Sequence, residues 1–192
     1  YSPAPVMTEA VIKRTMDEIV RPTMAEMSRR GTPFQGVLFV GLMIEDGAPR
    51  LVEYNVRFGD PECQALMVRL GAQILDLLLA AAEGRLAEIG VNWADDHAIS
   101  IVLAADGYPG AYEKGSVIRG LERFESETDR VVFHAGTRTI DGQITANGGR
   151  VLAVTARGAS LAAAQAAAYA TVDAIDWPEG FCRRDIGWRA LL

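Results

Sequence analysis

The residues with the clearest chemical potential lie in one run, Glu53-Tyr54-Asn55-Val56-Arg57-Phe58-Gly59-Asp60-Pro61-Glu62. Successive side chains of a strand point to opposite faces, so Glu53, Asn55 and Arg57 are expected on one face and Tyr54, Val56 and Phe58 on the other. A half-buried strand whose polar side meets water would account for that alternation. The polar set, however, is a carboxylate, a carboxamide and a guanidinium. Two hard oxygen donors suit a magnesium-like cation, which takes one or two carboxylates together with phosphate oxygens, and a planar guanidinium suits the phosphoryl group beside it. Glu53 and Asn55 are therefore the candidate metal ligands, and Arg57 the candidate catalytic and phosphate-binding residue.

The turn Gly59-Asp60-Pro61 would let the backbone approach a ligand closely and would open a helix whose first amides favour anions. Read structurally, the same residues are a helix cap at Asp60 with Pro61 at the first helical position. Other polar residues carry weaker signals. His97 and His134 stand apart from any cysteine or carboxylate cluster at ligand spacing. Cys63 sits one turn into the helix that follows Asp60, where a helix N-terminus could lower its pKa, but packing is its expected role. Trp93, Trp177 and Trp188 lie near connectors or the C-terminus, without the periodicity of a stacking platform.

These residues need elements to hold them. Thr8 is placed to cap a helix carrying Val11, Ile12, Met16, Ile19 and Val20, and Pro22 interrupts that pattern, so a second short helix is expected over 22–30 with Gly31 as its stop. Apolar runs over 35–45 and 51–58, joined by Asp46-Gly47, predict a β-hairpin. Two helices follow over 61–70 and 73–83, with Gly84 as a stop signal. Beyond a connector at about 90–97 the pattern changes. Strand-like runs at 98–105, 131–136, 143–145 and 151–155 are separated by Asp141-Gly142 and Asn147-Gly148-Gly149, the latter expected to be a hairpin turn with glycines at positive φ. An alanine-rich helix over about 160–175 closes the region, with Leu161, Ala164, Ala168, Val172 and Ile175 as a narrow apolar stripe. The expected fold class is α+β, with a boundary near residue 92 between an α+β piece (1–92) and a small β-rich, barrel-like module with one packed helix (93–192).

Composition narrows the functions available. Among 192 residues, 49% are hydrophobic and 23% charged, enough apolar material for a real core. A formal charge of -6 gives no net pull toward phosphate polymers or anionic lipid, so neither nucleic acid nor membrane is an expected partner. Two cysteines, Cys63 and Cys182, without a CxxC or Cys/His spacing suggest neither a disulfide framework nor a zinc site. No signal-peptide pattern is present, and a cytoplasmic location is expected. The chain opens with Tyr1-Ser2-Pro3-Ala4-Pro5 and enters a helical pattern at once, which reads as a piece of a longer protein.

The run EYNVRFGDPECQ closely resembles the signature of the phosphoribosylamine glycine ligases, an ATP-grasp family. YSPAPV at the start, PFQGVLFVGLM on the preceding strand and TANGGRVLAVTA near the end extend the resemblance over almost the whole chain. Other ATP-grasp ligases share the Glu-x-Asn element but not the FGDPE that follows.

What the resemblance implies is the ATP-dependent joining of glycine to 5-phosphoribosylamine through a glycyl phosphate, in purine biosynthesis. It implies magnesium or manganese held by Glu53 and Asn55, with ATP as co-substrate. It places Arg57, Gly59 and Asp60 on the phosphate and substrate side, and Arg150 toward the substrate phosphate. Residues 1–92 would be the final part of the ATP-grasp domain and 93–192 the C-terminal domain. The partners would be ATP, glycine, 5-phosphoribosylamine and the missing N-terminal portion of the same enzyme, without which the piece should not turn over. The alternatives are another ATP-grasp carboxylate-amine ligase or carboxylase, and a non-catalytic interaction module whose polar strand face is merely solvated.

Overall fold

The β-strands form where β-branched and apolar residues alternate between turns that only certain residues can make. In the computed structural model, which describes residues 1–192, strand β1 (Phe39–Glu45) and strand β2 (Ala48–Asn55) pair antiparallel across Asp46-Gly47. Both turn residues have positive φ, 49° and 72°, the mirror-image turn whose twist matches a two-residue hairpin. Asp141 and Gly142 repeat the geometry, at 48° and 76°, between β5 (Thr137–Ile140) and β6 (Gln143–Ala146).

The chain divides into two units. One comprises Pro3–Asp60 and Leu70–Trp93. Its helix α1 (Glu9–Thr15) starts where the Thr8 hydroxyl accepts a hydrogen bond from the Val11 amide, as its sequence position predicts. Pro22 does not end the helix, contrary to the expected interruption. The chain widens into a π-turn at Met16–Val20, with the Arg21 amide reaching the Met16 carbonyl, and continues as α2 (Arg21–Arg29). Proline offers no amide to a carbonyl one turn back and its ring crowds that carbonyl, and widening the preceding turn relieves both problems. Gly31, at φ 76°, then reverses the chain and the Thr32 amide closes back on the Met27 carbonyl. Helix α2 meets the hairpin through the Thr23 and Tyr54 hydroxyls, 2.6 Å apart, and Gln35 donates to the Ala81 and Ala82 carbonyls at the end of α4 (Gln73–Ala82).

The second unit comprises Tyr1–Ser2, Pro61–Arg69 and Ala94–Leu192. It is built on an antiparallel four-stranded sheet, in the order β4 (Arg130–His134), β7 (Arg150–Gly158), β3 (His97–Ala105) and β8 (Gly180–Phe181). The sheet stays open, with β4 and β8 as its edges, so the expected barrel-like closure does not occur. One reason is visible in β8: at two residues it is too short to carry the sheet round.

Helix α5 (Leu161–Ala174), capped by the Ser160 hydroxyl on the Ala163 amide, covers one face of this sheet. Its expected stripe of Leu161, Ala164, Ala168, Val172 and Ile175 is buried, packed with Ile99, Ile101 and Leu103 of β3 and Leu152 and Val154 of β7. Alanines on the stripe let the helix approach closely. A Cβ at Gly158, the last residue of β7, would lie 2.7 Å from the Ala164 amide nitrogen. Trp177 completes the core, its indole N–H donating to the Ser116 hydroxyl. Elsewhere in this unit, Arg69 near the end of α3 (Glu62–Leu70) donates to both the Ser2 hydroxyl and the Ala94 carbonyl, each at 2.8 Å, and Ser2 bridges to Ala98 on β3. No single helix is long and apolar enough to cross a membrane.

Candidate functional site

Strand β2 brings Glu53 and Asn55 together. They lie two residues apart on one face, and the Asn55 side-chain amide donates to Glu53 Oε1 at 3.1 Å. Their neighbourhood is shaped by a β-bulge, because Gly41 pairs with Glu53 while Leu42 pairs with Leu51, leaving Val52 as the extra residue. Gly41 matters here for its missing side chain. A Cβ at that position would sit 2.9 Å from Glu53 Cγ, so the glycine leaves the space in which the Glu53 side chain lies.

Arg57 does not continue this face. The strand ends at Asn55, residues 56 and 57 form a bend, and the Arg57 guanidinium donates to the Phe58 carbonyl at 2.7 Å. The three polar side chains expected side by side are thus a hydrogen-bonded pair and a neighbour folded onto its own backbone. Gly59 is buried, and Asp60 and Pro61 directly precede α3. The apolar side of the strand is open, with Val52 65% and Val56 73% exposed.

The chemistry of the Glu53 and Asn55 pair suits a hard divalent cation. No salt bridge engages Glu53, and an amide side chain presents its oxygen in place of its nitrogen by turning over with little change of shape. No third acidic, histidine or cysteine side chain joins them to form a complete protein cage. Such a pair leaves most of an octahedral shell to phosphate oxygens and water, the arrangement magnesium prefers.

Arg150 stands in the other unit, at the start of β7, and there too a bulge decides its direction. Leu103 pairs with Leu152 and Ala104 with Arg150, so Val151 is the extra residue. Strict alternation would send Val151 to the face of Ser100 and Val102 and Arg150 to the helix-packed face. The bulge reverses that: Val151 joins the core and Arg150 points from the open face, beside Ala104. Asn147-Gly148-Gly149 is not the hairpin turn expected of it, since β6 and β7 belong to different sheets and neither glycine has positive φ. The glycines serve close packing instead. A Cβ on Gly149 would lie 2.2 Å from the Tyr108 ring, and one on Gly148 3.1 Å from the Gly136 Cα.

Arg150 and Tyr108 line a cavity of about 480 Å³ on this open face, together with Ser100, Val102, Ala104 and Phe181. Cys182 also reaches it, and burial pushes that thiol up from its ordinary range. Sequence reasoning singled out Arg150 and missed its companions. The available signal was the contrast within β3 between the bulky Ile99, Ile101 and Leu103 on one face and the smaller Ser100, Val102 and Ala104 on the other. The histidines take no part: His134 Nδ1 lies 2.9 Å from the Thr137 hydroxyl, and His97 opens β3 away from any acidic cluster at ligand distance.

Comparison with known proteins places this geometry in a family. The family model of the phosphoribosylglycinamide synthetase C domain matches residues 98–189, and that of the ATP-grasp (A) domain of the same synthetase matches 1–63. A phosphoribosylamine-glycine ligase of Mesorhizobium japonicum is 59% identical over 191 residues, covering 100% of this chain and 45% of the relative. The chloroplastic phosphoribosylamine-glycine ligase of Arabidopsis thaliana is 52% identical, covering 100% of this chain and 37% of its own length. The crystal structure of the Thermotoga maritima phosphoribosylamine-glycine ligase superposes with a TM-score of 0.83 at 32% identity, over 93% of this chain and 44% of that one. The chain thus spans less than half the length of the relatives it matches. Across that span it belongs to the phosphoribosylamine-glycine ligase family, corresponding to the last part of the ATP-grasp domain and the C domain that follows.

Proposed function

We propose that this chain forms part of an enzyme that uses ATP to join glycine to 5-phosphoribosylamine, giving glycinamide ribonucleotide, ADP and phosphate. The observation that carries the reading is the Glu53 and Asn55 pair at the end of β2, held in register by the bulge and by the space over Gly41. In this reading both residues hold magnesium or manganese, which supplies charge neutralisation on the ATP phosphates. Arg57 moves from the Phe58 carbonyl to the transferring phosphoryl group, and the backbone at Gly59 and Asp60 borders the same group. Glycine's carboxylate takes up the γ-phosphoryl group as ADP leaves, and the amine of phosphoribosylamine then displaces phosphate from the acyl carbon. The protein's share is positioning and electrostatic stabilisation.

The split into 1–92 and 93–192 is proposed as the domain division. The N-terminal portion of the enzyme is proposed to lie over the open apolar side of the hairpin and of α4, where Val52, Val56 and Leu75 are exposed. The test is Glu53→Ala in the complete enzyme. Metal-dependent phosphate release should fall at least about a hundredfold, on the scale of losing one electrostatic stabiliser, with the fold retained by circular dichroism. Normal turnover in that variant would defeat the assignment.

A further inference from the structure

The segment 182–186, which follows β8, runs between two cavities. Cys182 lines both the cavity of about 480 Å³ on the open face of the sheet and a smaller one of about 210 Å³ beside the end of α5, where Asp173, Ile175 and Trp177 lie. Arg183 and Ile186 extend the wall of the larger cavity. The segment is fixed at its two ends, by the two residues of β8 and by buried Gly187, which turns the chain at φ 84° where a Cβ would lie 3.0 Å from Ile99. Between those points no strand ladder holds it, and side chains of α5 tie its backbone instead. Gln165, Tyr169 and Asp173 stand four residues apart along one face of that helix, separate from its buried stripe. The Gln165 amide donates to the Ile186 carbonyl at 2.6 Å. The Tyr169 hydroxyl donates to the Arg183 carbonyl and accepts from the Ile186 amide, each at 3.0 Å. Asp173 pairs with Arg184 at 2.6 Å, and the Arg184 guanidinium lies over the Tyr169 ring. Within the segment, Arg183 and Asp185 are joined by two hydrogen bonds, at 2.9 and 2.6 Å, which stiffen it as one piece.

We propose that 182–186 is a strap that opens and closes the larger cavity, swinging between β8 and Gly187 and latched shut by Gln165, Tyr169 and Asp173. There is space on either side of it, so it shifts without forcing the core apart. The latch is made of hydrogen bonds and an exposed ion pair, contacts that water replaces at small net cost, whereas the sheet and α5 beneath it are held by a buried core. Cys182 and Ile186 rest against that core only half-buried, so opening uncovers little apolar surface. A segment of this kind opens far more often than the elements it covers, as ligand-site lids do. The strap governs entry to the cavity whatever the cavity takes, and it stands or falls separately from the ligase reading.

Native-state hydrogen exchange, with alkylation of Cys182 by iodoacetamide mapped by mass, tests it on the 192-residue chain across low urea concentrations. In the unsubstituted chain the Ile186 amide and the Cys182 thiol should react through an opening that urea barely changes, while the Val154 amide of β7 exchanges only through one that urea strongly favours. Tyr169→Phe keeps the ring under Arg184 and removes both hydrogen bonds, and should speed both strap reactions by at least about tenfold with Val154 unchanged. Gln165→Ala should speed them by about fivefold. The thiol makes no hydrogen bond to Tyr169 or Gln165, so its rate reports opening of the strap and not the loss of a single bond. Ile186 and Cys182 following the urea dependence of Val154 would make the segment part of the core and overturn the proposal. So would an unchanged Cys182 rate in both variants. If Tyr169→Phe unfolds the whole unit, the urea dependence of the unsubstituted chain decides.

Discussion

The two units of this chain hold their shape by different means. The unit built on β3, β7 and α5 has a continuous core, in which Ile99, Ile101, Leu152, Val154, Ala164 and Ala168 are essentially removed from water. The unit built on α1, α2, the β1–β2 hairpin and α4 buries far less and leaves Val52, Val56, Leu75 and Leu79 half or more exposed. What orders it is local: a threonine cap, a two-residue turn, a glycine stop, and ion pairs one helical turn apart at Lys13 and Asp17, Arg14 and Glu18, and Glu26 and Arg30. Exposed pairs of this kind are each worth only a few tenths of a kcal/mol, whereas a buried aliphatic side chain is worth about 2 kcal/mol. The candidate metal ligands thus sit on the locally ordered unit, and the cavity beside Arg150 on the one with its own core.

That contrast breaks most sharply under core truncation. Ile101→Ala should destabilise the β3–β7 unit by about 3 kcal/mol, because it deletes buried methyl groups and leaves a cavity. Leu75→Ala, at a position 71% exposed, should change stability by less than about 0.5 kcal/mol. Urea denaturation followed by tryptophan fluorescence measures both, and similar losses would show that the two units share one core.

Smaller effects should follow pH: acid weakens ion pairs in both units, and alkali weakens the unit built on β3, β7 and α5. The Lys13 hydrogen bond to Asp17, the Arg14 bond to Glu18 and the Arg29 bond to Glu26 each hold a carboxylate below its ordinary range. A depressed folded value means that the contribution is present above the unfolded carboxylate range and is lost as pH falls through the folded one. Acid below about pH 4 should therefore loosen the α1–α2 region. In the other unit Asp185, beside Arg183, is the corresponding acid-sensitive group. There burial raises Tyr169 and Cys182, so stability falls as pH rises from their unfolded range toward their folded values, and alkali should weaken that unit. Hydrogen exchange across a pH series, resolved by segment, reads both limbs, and an equal alkaline loss in the two units would remove the distinction.

The smallest expected effect compares the two helix caps. Ser160→Ala should lower the global stability of the β3–β7 unit by about 1 kcal/mol, since α5 is part of its core. Thr8→Ala should fray only the first turn of α1, visible as faster exchange of the Val11 amide with the global midpoint unmoved.

Much of this was legible in the order of residues because it depends on near neighbours. The Asp46-Gly47 and Asp141-Gly142 turns, the Thr8 cap, the Gly31 stop and the buried stripe of α5 follow from conformational preferences acting within a few positions. So does the meeting of Glu53 and Asn55, since residues two apart on a strand share a face. The π-turn before Pro22 was not legible, because a break and a widened turn both answer the loss of one amide. Strand β5 escaped notice because Thr137-Arg138-Thr139-Ile140 is short and mostly polar and is defined by its partner β6.

The sequence by itself determined the family, the turns, the caps and the meeting of a carboxylate and a carboxamide side chain at the end of a strand. Tertiary structure decided the rest, and both decisive points are bulges. Val52 and Val151 are extra residues only relative to the strands they pair with, so the direction of Arg150 and the setting of Glu53 depend on register across the sheet. The same holds for Gly149, whose need to be glycine comes from a tyrosine ring some forty positions earlier in the chain, brought within contact only by folding.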